Sequence, residues 1–164
     1  MVSESLKSSG PVQTAQRRFT LWHLSLVLVA IGLFVSGYLS YVKLTDVPMA
    51  CVQDSVFNCD VVQNSAYSRL FGIPIAWLGF GVYITLGVLL VMQPRIAFLR
   101  EYGAMIIFGI AVFAWIYSMF LVYLQFFVLK ALCMWCLAHE ANFTVLFIVT
   151  CLRLKNSFSN PAAE

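Results

Sequence analysis

Four apolar stretches, each long enough to cross a lipid bilayer, leave this chain few ways to fold. They run at about residues 20–42, 71–92, 103–129 and 131–152. A hydrocarbon core of about 30 Å needs roughly 20 helical residues. Backbone polar groups in lipid need partners inside the protein, so spans are helices rather than lone strands. Only Lys130 divides the third stretch from the fourth, which places a tight turn near Leu129–Ala131. Composition agrees, with 62% of the 164 residues hydrophobic and 10% charged. Soluble domains average about 45–50% apolar and about 25% charged. The expected fold class is an all-α membrane protein, a four-transmembrane-helix bundle over residues 20–153 with an outer loop at 43–70. The tails at 1–19 and 154–164 read as cytoplasmic, the first disordered and the second from Asn156 onward.

The basic residues give the orientation. Lys7, Arg17, Arg18, Arg95, Arg100, Arg153 and Lys155 fall on one side of the four spans; Lys43, Arg69 and Lys130 fall on the other. Both termini are therefore expected in the cytoplasm, with the 43–70 loop and the 129–131 turn outside. This asymmetry accounts for the net charge of +3 without any nucleic acid. Arg17-Arg18 resembles a twin-arginine signal and Ala50-Cys51 a lipoprotein cleavage site, but the first apolar run is too long for a signal peptide. An uncleaved anchor fits better.

Within the outer loop, Pro48 stops the first helix and Asp54-Ser55 favours a turn. The spacing of Val61, Val62, Ser65 and Ala66 predicts a short amphipathic helix from about Asn58 to Ser68. Asn58 is its candidate N-cap, which places Cys59 in the first turn. Gly32, Ser36 and Ser40 form a small-residue stripe along the first span, read as a site of close helix packing. Gly79 and Gly87 read the same way in the second span.

Five cysteines carry the chemistry: Cys51, Cys59, Cys133, Cys136 and Cys151. The topology brings the first four to the outer, oxidising side, where disulfides persist. Cys133-Met-Trp-Cys136 is a C-x-x-C whose spacing puts both sulfurs on one helical face. A disulfide there constrains the unfolded chain little, so it reads as one made to be broken and remade. The same thiols could also hold a structural zinc ion or simply staple the loop. Zinc sites favour paired short spacings, which the seven residues between Cys51 and Cys59 do not supply. Cys151, at the cytoplasmic end, reads as a buried apolar thiol. His139 and Glu140 follow the C-x-x-C, and Glu140 shares its face. An ionisable side chain inside a membrane helix is a candidate functional group, here a proton donor or relay. A purely structural Glu140 would instead bond to a neighbouring helix. Aromatic residues such as Trp77, Tyr83 and Trp115 could stack on a flat apolar cofactor near Cys136.

Taken together, Cys51-x7-Cys59, Ser65, Phe71-Gly72-Ile73-Pro74 and Cys133-x-x-Cys136 resemble the vitamin K epoxide reductase family, over roughly residues 20–153. That resemblance implies a helix bundle around a quinone site, capped by the half-helix of the outer loop. It implies electrons entering from a separate thioredoxin-like dithiol protein and leaving to a membrane quinone such as ubiquinone or menaquinone. By position, Cys51 would exchange with the partner, Cys59 would attack Cys133, and Cys136 would face the quinone. Glu140, Ser68, His139 and Phe71 are the expected quinone-site residues. Glu140 stands where animal members have a tyrosine, and Ser68 where they have an asparagine. Both replacements favour a plain quinone over the epoxide as acceptor. About ten polar residues follow the last span, so the partner is expected to be a separate chain. The expected role is an oxidoreductase of a bacterial inner membrane that supports disulfide formation in exported proteins. The disulfide-bond formation protein B family does similar work with the order of its cysteine pairs reversed. A non-enzymatic membrane scaffold with structural disulfides, or a vitamin K reductase proper, would also accommodate these cysteines.

Overall fold

The computed structural model describes residues 11–51 and 56–159. Helix α1 is Pro11–Thr45, α2 is Cys59–Gln63, α3 is Ile75–Met92, α4 is Ala97–Tyr123 and α5 is Met134–Ser159. Four segments are long and apolar enough to cross a membrane: Phe19–Thr45, Ile75–Met92, Ala97–Val128 and Met134–Ser159. They form an all-α bundle in which α1 packs on α3 and α5, and α4 packs on α5 and α3. Large apolar side chains point outward around it, Phe34 (76% exposed) and Phe113 (77%) among them. A water-facing helix would keep that surface polar; a lipid-facing one need not.

The helices meet over Leu28, Val29, Tyr83, Leu86, Leu90, Ile107, Phe143, Leu146 and Val149. Asn142 ties three of them together. Its Nδ2 donates to the Leu28 carbonyl of α1 at 3.0 Å and to Tyr83 Oη of α3 at 2.9 Å. The small residues of α1 sit where expected: a Cβ on Gly32 would overlap the Tyr83 ring, and Ser36 is buried. Gly79 faces His139 and Gly87 faces Val29, where an added Cβ would make close contact rather than overlap. At the opposite end from the outer loop, Arg153 donates to Gln93 Oε1 at 2.6 Å and Trp22 Nε1 to the Leu90 carbonyl at 3.0 Å.

Several boundaries differ from the hydropathy reading. Helix α1 already runs from Pro11, and α5 continues through Asn156 to Ser159. These polar turns continue helices that are already nucleated, and each added residue gains a backbone bond at little further cost. Residues 1–10 and 160–164, and the Asp54-Ser55 turn, lie outside the described residues. The second span does not open at Phe71. Arg69–Leu70 (β1) and Ile73–Pro74 (β2) pair antiparallel around Phe71-Gly72, with Arg69 opposite Pro74. Both turn residues have positive φ, 50° and 85°, as a two-residue hairpin turn of the right twist requires. Pro74 then caps α3, where its missing N–H costs nothing. The third span ends in a π-helical turn, Leu124–Val128, and Lys130 reverses the chain at φ 49°.

Candidate functional site

The outer-loop half-helix is shorter than its pattern suggests. Asn58 caps α2 by accepting from the Val61 N–H at 3.1 Å. After Gln63 the chain turns at Asn64 and re-forms as a single 3-10 turn, Ala66–Ser68. Ser65 and Ser68 account for the break. Ser65 Oγ donates to the Val62 carbonyl and Ser68 Oγ to the Ser65 carbonyl, both at 2.8 Å. Such local bonds compete with the helical ladder.

Backbone hydrogen bonds join this loop to the segment that leads into α5. Phe57 forms a parallel bridge with Leu132. The Asn58 N–H donates to the Leu132 carbonyl, and the Leu132 N–H to the Val56 carbonyl, each at 3.0 Å. The next residues on the two strands lead into Cys59 and Cys133, which are 1% and 0% exposed. Cys59 opens α2, and Cys133 stands just before α5 rather than inside it. There its Sγ accepts the Cys136 N–H at 3.2 Å, as an N-cap side chain does.

Both pairs are disulfides: Cys51–Cys59, with Cα atoms 6.3 Å apart, and Cys133–Cys136, at 5.2 Å. Cys151 is free and half-buried. The Cys51 arm is held by aromatic side chains. Trp135, inside the C-x-x-C, donates from Nε1 to the Ala50 carbonyl at 2.7 Å. Tyr38 Oη accepts the Ala50 N–H at 3.3 Å, and the Tyr38 and Trp135 rings meet at 4.8 Å. The Cys133 N–H, turned inward, donates to buried Gln125 Oε1 at 3.0 Å. Gln125→Leu should therefore strand a buried donor and cost about 1–3 kcal/mol, read as a lower Tm in detergent with both disulfides still formed.

Beneath the α5 disulfide lies a cavity of about 380 Å³ between α1, α3, α4, α5 and the loop. Cys136, Gln63, Ser68, His139 and Glu140 contribute its polar groups alongside Ser36, Ser65 and Gln125, and its walls are otherwise mostly apolar. Glu140 is 7% exposed. Thr144 Oγ1 donates to Glu140 Oε1 at 3.3 Å and itself accepts from Trp115 Nε1 at 3.1 Å. His139 packs edge-on to Tyr83, with ring centroids 5.3 Å apart. Gln63 Nε2 approaches Cys136 Sγ at 3.7 Å.

Of the residues named from sequence, Cys136, Ser65, Ser68, His139 and Glu140 line this cavity together. Phe71 does not: it is 96% exposed at the hairpin tip. A side chain at the apex of a two-residue turn points away from the strands it joins, so a motif spacing cannot carry it into the cavity. The sequence pattern singles out neither Gln63 nor Gln125, and it marks Trp135 only as one aromatic residue among many. The available signal is an amide four residues beyond Cys59 and another eight before Cys133. The sequence model of the vitamin K epoxide reductase family matches residues 23–151, most of the chain.

Proposed function

This chain belongs to the vitamin K epoxide reductase family, and from that premise we propose that it moves electrons from a thioredoxin-like dithiol protein to a membrane quinone. Membership implies a membrane disulfide oxidoreductase; the donor, the acceptor and the residue roles are our reading. One observation carries it. A backbone bridge joins the segments that carry the two disulfides, with Cys59 and Cys133 both buried just beyond it and Cys136 on the wall of a mostly apolar cavity.

The cavity suits a quinone head group. Its volume falls in the range of about 300–1,000 Å³ typical of small-molecule sites, and a few polar groups interrupt apolar walls. A quinone bound there would accept two electrons and two protons. The chain's residues do the rest. A partner thiolate attacks Cys51 Sγ and releases the Cys59 thiolate. Cys59 attacks Cys133, breaking the bond to Cys136. The second partner thiol then displaces Cys51 and leaves the partner oxidised, and Cys51 regains its bond to Cys59 by displacing Cys133. Cys133 and Cys136 are now the reduced pair, and they close again as their electrons leave through Cys136. Glu140 supplies a proton on the cavity side, with Thr144 orienting its carboxyl. Ser68 and His139 position the acceptor. The basic residues at the far end support a cytoplasmic placement of the termini and an outer placement of the relay.

The test is quinone reduction by the detergent-solubilised protein, driven by a reduced thioredoxin-like protein. Steady loss of quinone absorbance with stoichiometric oxidation of the donor is expected. Inertness towards several quinones, with both disulfides resistant to a strongly reducing dithiol, would sink the reading. In the same assay Glu140→Gln should slow quinone reduction about a hundredfold, the lower range for a general acid. Reduction of the two disulfides by the donor should proceed at the unaltered rate.

A further inference from the structure

Among the polar groups on the cavity wall that have no task in the relay just described, one approaches a reacting sulfur. Gln63 ends α2 with its Nε2 at 3.7 Å from Cys136 Sγ. An amide N–H can only donate, and a disulfide sulfur is a weak acceptor. A thiolate is a strong one, because a hydrogen bond to an ionised acceptor gains roughly twice as much.

The backbone that carries this amide is also held in place. Lys43, in the last turn of α1, donates from Nζ to the Gln63 carbonyl at 2.9 Å and to Asn64 Oδ1 at 3.0 Å. The Asn64 N–H donates to the Asp60 carbonyl at 2.9 Å. The end of α2 is thus fixed both to its own helix and to the first span.

We propose that Gln63 is a catalytic residue of the thiol relay, donating a hydrogen bond to Cys136 sulfur as it becomes a thiolate, and that Lys43 positions it. The proposal rests on the relay reading above, since only a pair that opens presents the amide with a charge. In the opening step the Cys59 thiolate attacks Cys133 Sγ. The Cys59–Cys133 bond forms, the Cys133–Cys136 bond breaks, and the electron pair leaves on Cys136 Sγ with no proton transferred. The negative charge moves from Cys59 to the sulfur beside Gln63 Nε2. A donor that binds the product thiolate better than the disulfide favours the open state and the path to it.

A redox titration tests this without quinone or partner protein. In full-length protein carrying Cys51→Ala, Cys59→Ala and Cys151→Ala, only Cys133 and Cys136 remain to be titrated with glutathione, at an alkaline pH where the reduced pair is ionised. The reduced fraction is read from alkylation mass shifts. Adding Gln63→Leu should shift the equilibrium about tenfold towards the disulfide, the worth of one hydrogen bond to a charged group. Gln63→Glu, which sets a carboxylate beside the thiolate, should shift it further in the same direction. Lys43→Met should give a smaller shift of that sign. A packing role alone would lower the melting temperature and leave the equilibrium in place. Equilibria within about twofold of the parent for both Leu and Glu variants, well short of the shift one such bond is worth, would overturn the proposal. Should wild type fail to reduce quinones while the titration shifts as expected, the quinone reading falls and the Gln63 contact stands. Active quinone reduction with an unmoved titration rejects Gln63 alone.

Discussion

Cys136→Ala protein is expected to carry a Cys59–Cys133 disulfide and to reduce no quinone. Removing Cys136 leaves Cys133 a lone thiol, buried like Cys59 just beyond the backbone hydrogen bond from Asn58 to Leu132. The Cys133 thiolate attacks Cys59, the Cys51–Cys59 bond breaks, and Cys51 leaves as a thiolate. With Cys136 gone only the reverse attack by Cys51 can undo the new bond, so the two linkages exchange and the new one is trapped when alkylation blocks Cys51. Non-reducing peptide mapping should find the cross-link, with Cys51 alone of that pair open to alkylation. Turnover should fall on the order of a thousandfold or more, as when a nucleophile is deleted. Cys151→Ala, at the other end of α5, should leave turnover unchanged. If the variant keeps Cys51–Cys59 intact and Cys133 free, the two pairs do not exchange through these sulfurs.

Gly32→Ala should be among the most destabilising single-methyl changes this bundle can take. The added Cβ would overlap the Tyr83 ring, a residue with 0% exposure. Tyr83 is pinned by its neighbours on the sides away from the cavity it lines. Its Oη accepts from Asn142 at 2.9 Å, and His139 and Phe143 press edge-on at 5.3 and 5.5 Å. Overpacking a well-filled core typically costs about 1–3 kcal/mol, and more where the neighbour is pinned. Gly32→Ala should therefore lower the Tm clearly in detergent, and Gly32→Val should fail to accumulate in the membrane. Tyr83→Leu in the Gly32→Ala background should recover part of the loss, as a double-mutant cycle would show. A Gly32→Ala protein that melts with wild type would mean that α1 and α3 part easily.

The spans are legible in the sequence because lipid imposes one rule on every residue of a helix. Hydropathy along about 20 or more positions reports it with little ambiguity. The pairing of Cys133 with Cys136 follows from their spacing, and the cavity positions of Glu140 and His139 from their place on the same helix. What stays hidden depends on single backbone angles or on side chains reaching between elements. Phe71 at φ 50° is in a conformation that bulky residues seldom adopt. Nothing in an apolar run announces that it begins with a hairpin. Gln63 and Gln125 are amides in apolar surroundings, and only the folded chain reveals which sulfur or N–H each one meets. The bridge of Phe57 to Leu132 joins segments far apart in sequence with no hydropathy pattern of its own.

That bridge has a kinetic consequence. Two thiols joined by a flexible loop meet at an effective concentration set by the loop's wandering, in the millimolar range for short linkers. Here the segments carrying Cys59 and Cys133 are joined by backbone hydrogen bonds next to both residues, so in the proposed relay their exchange would not wait on loop closure. Well-oriented intramolecular reactions reach effective molarities of about 10⁵ M and above. Against that figure, millimolar small-molecule thiols in the surrounding fluid compete poorly for the transferred electrons. The chain would keep its current insulated without any lid over the junction.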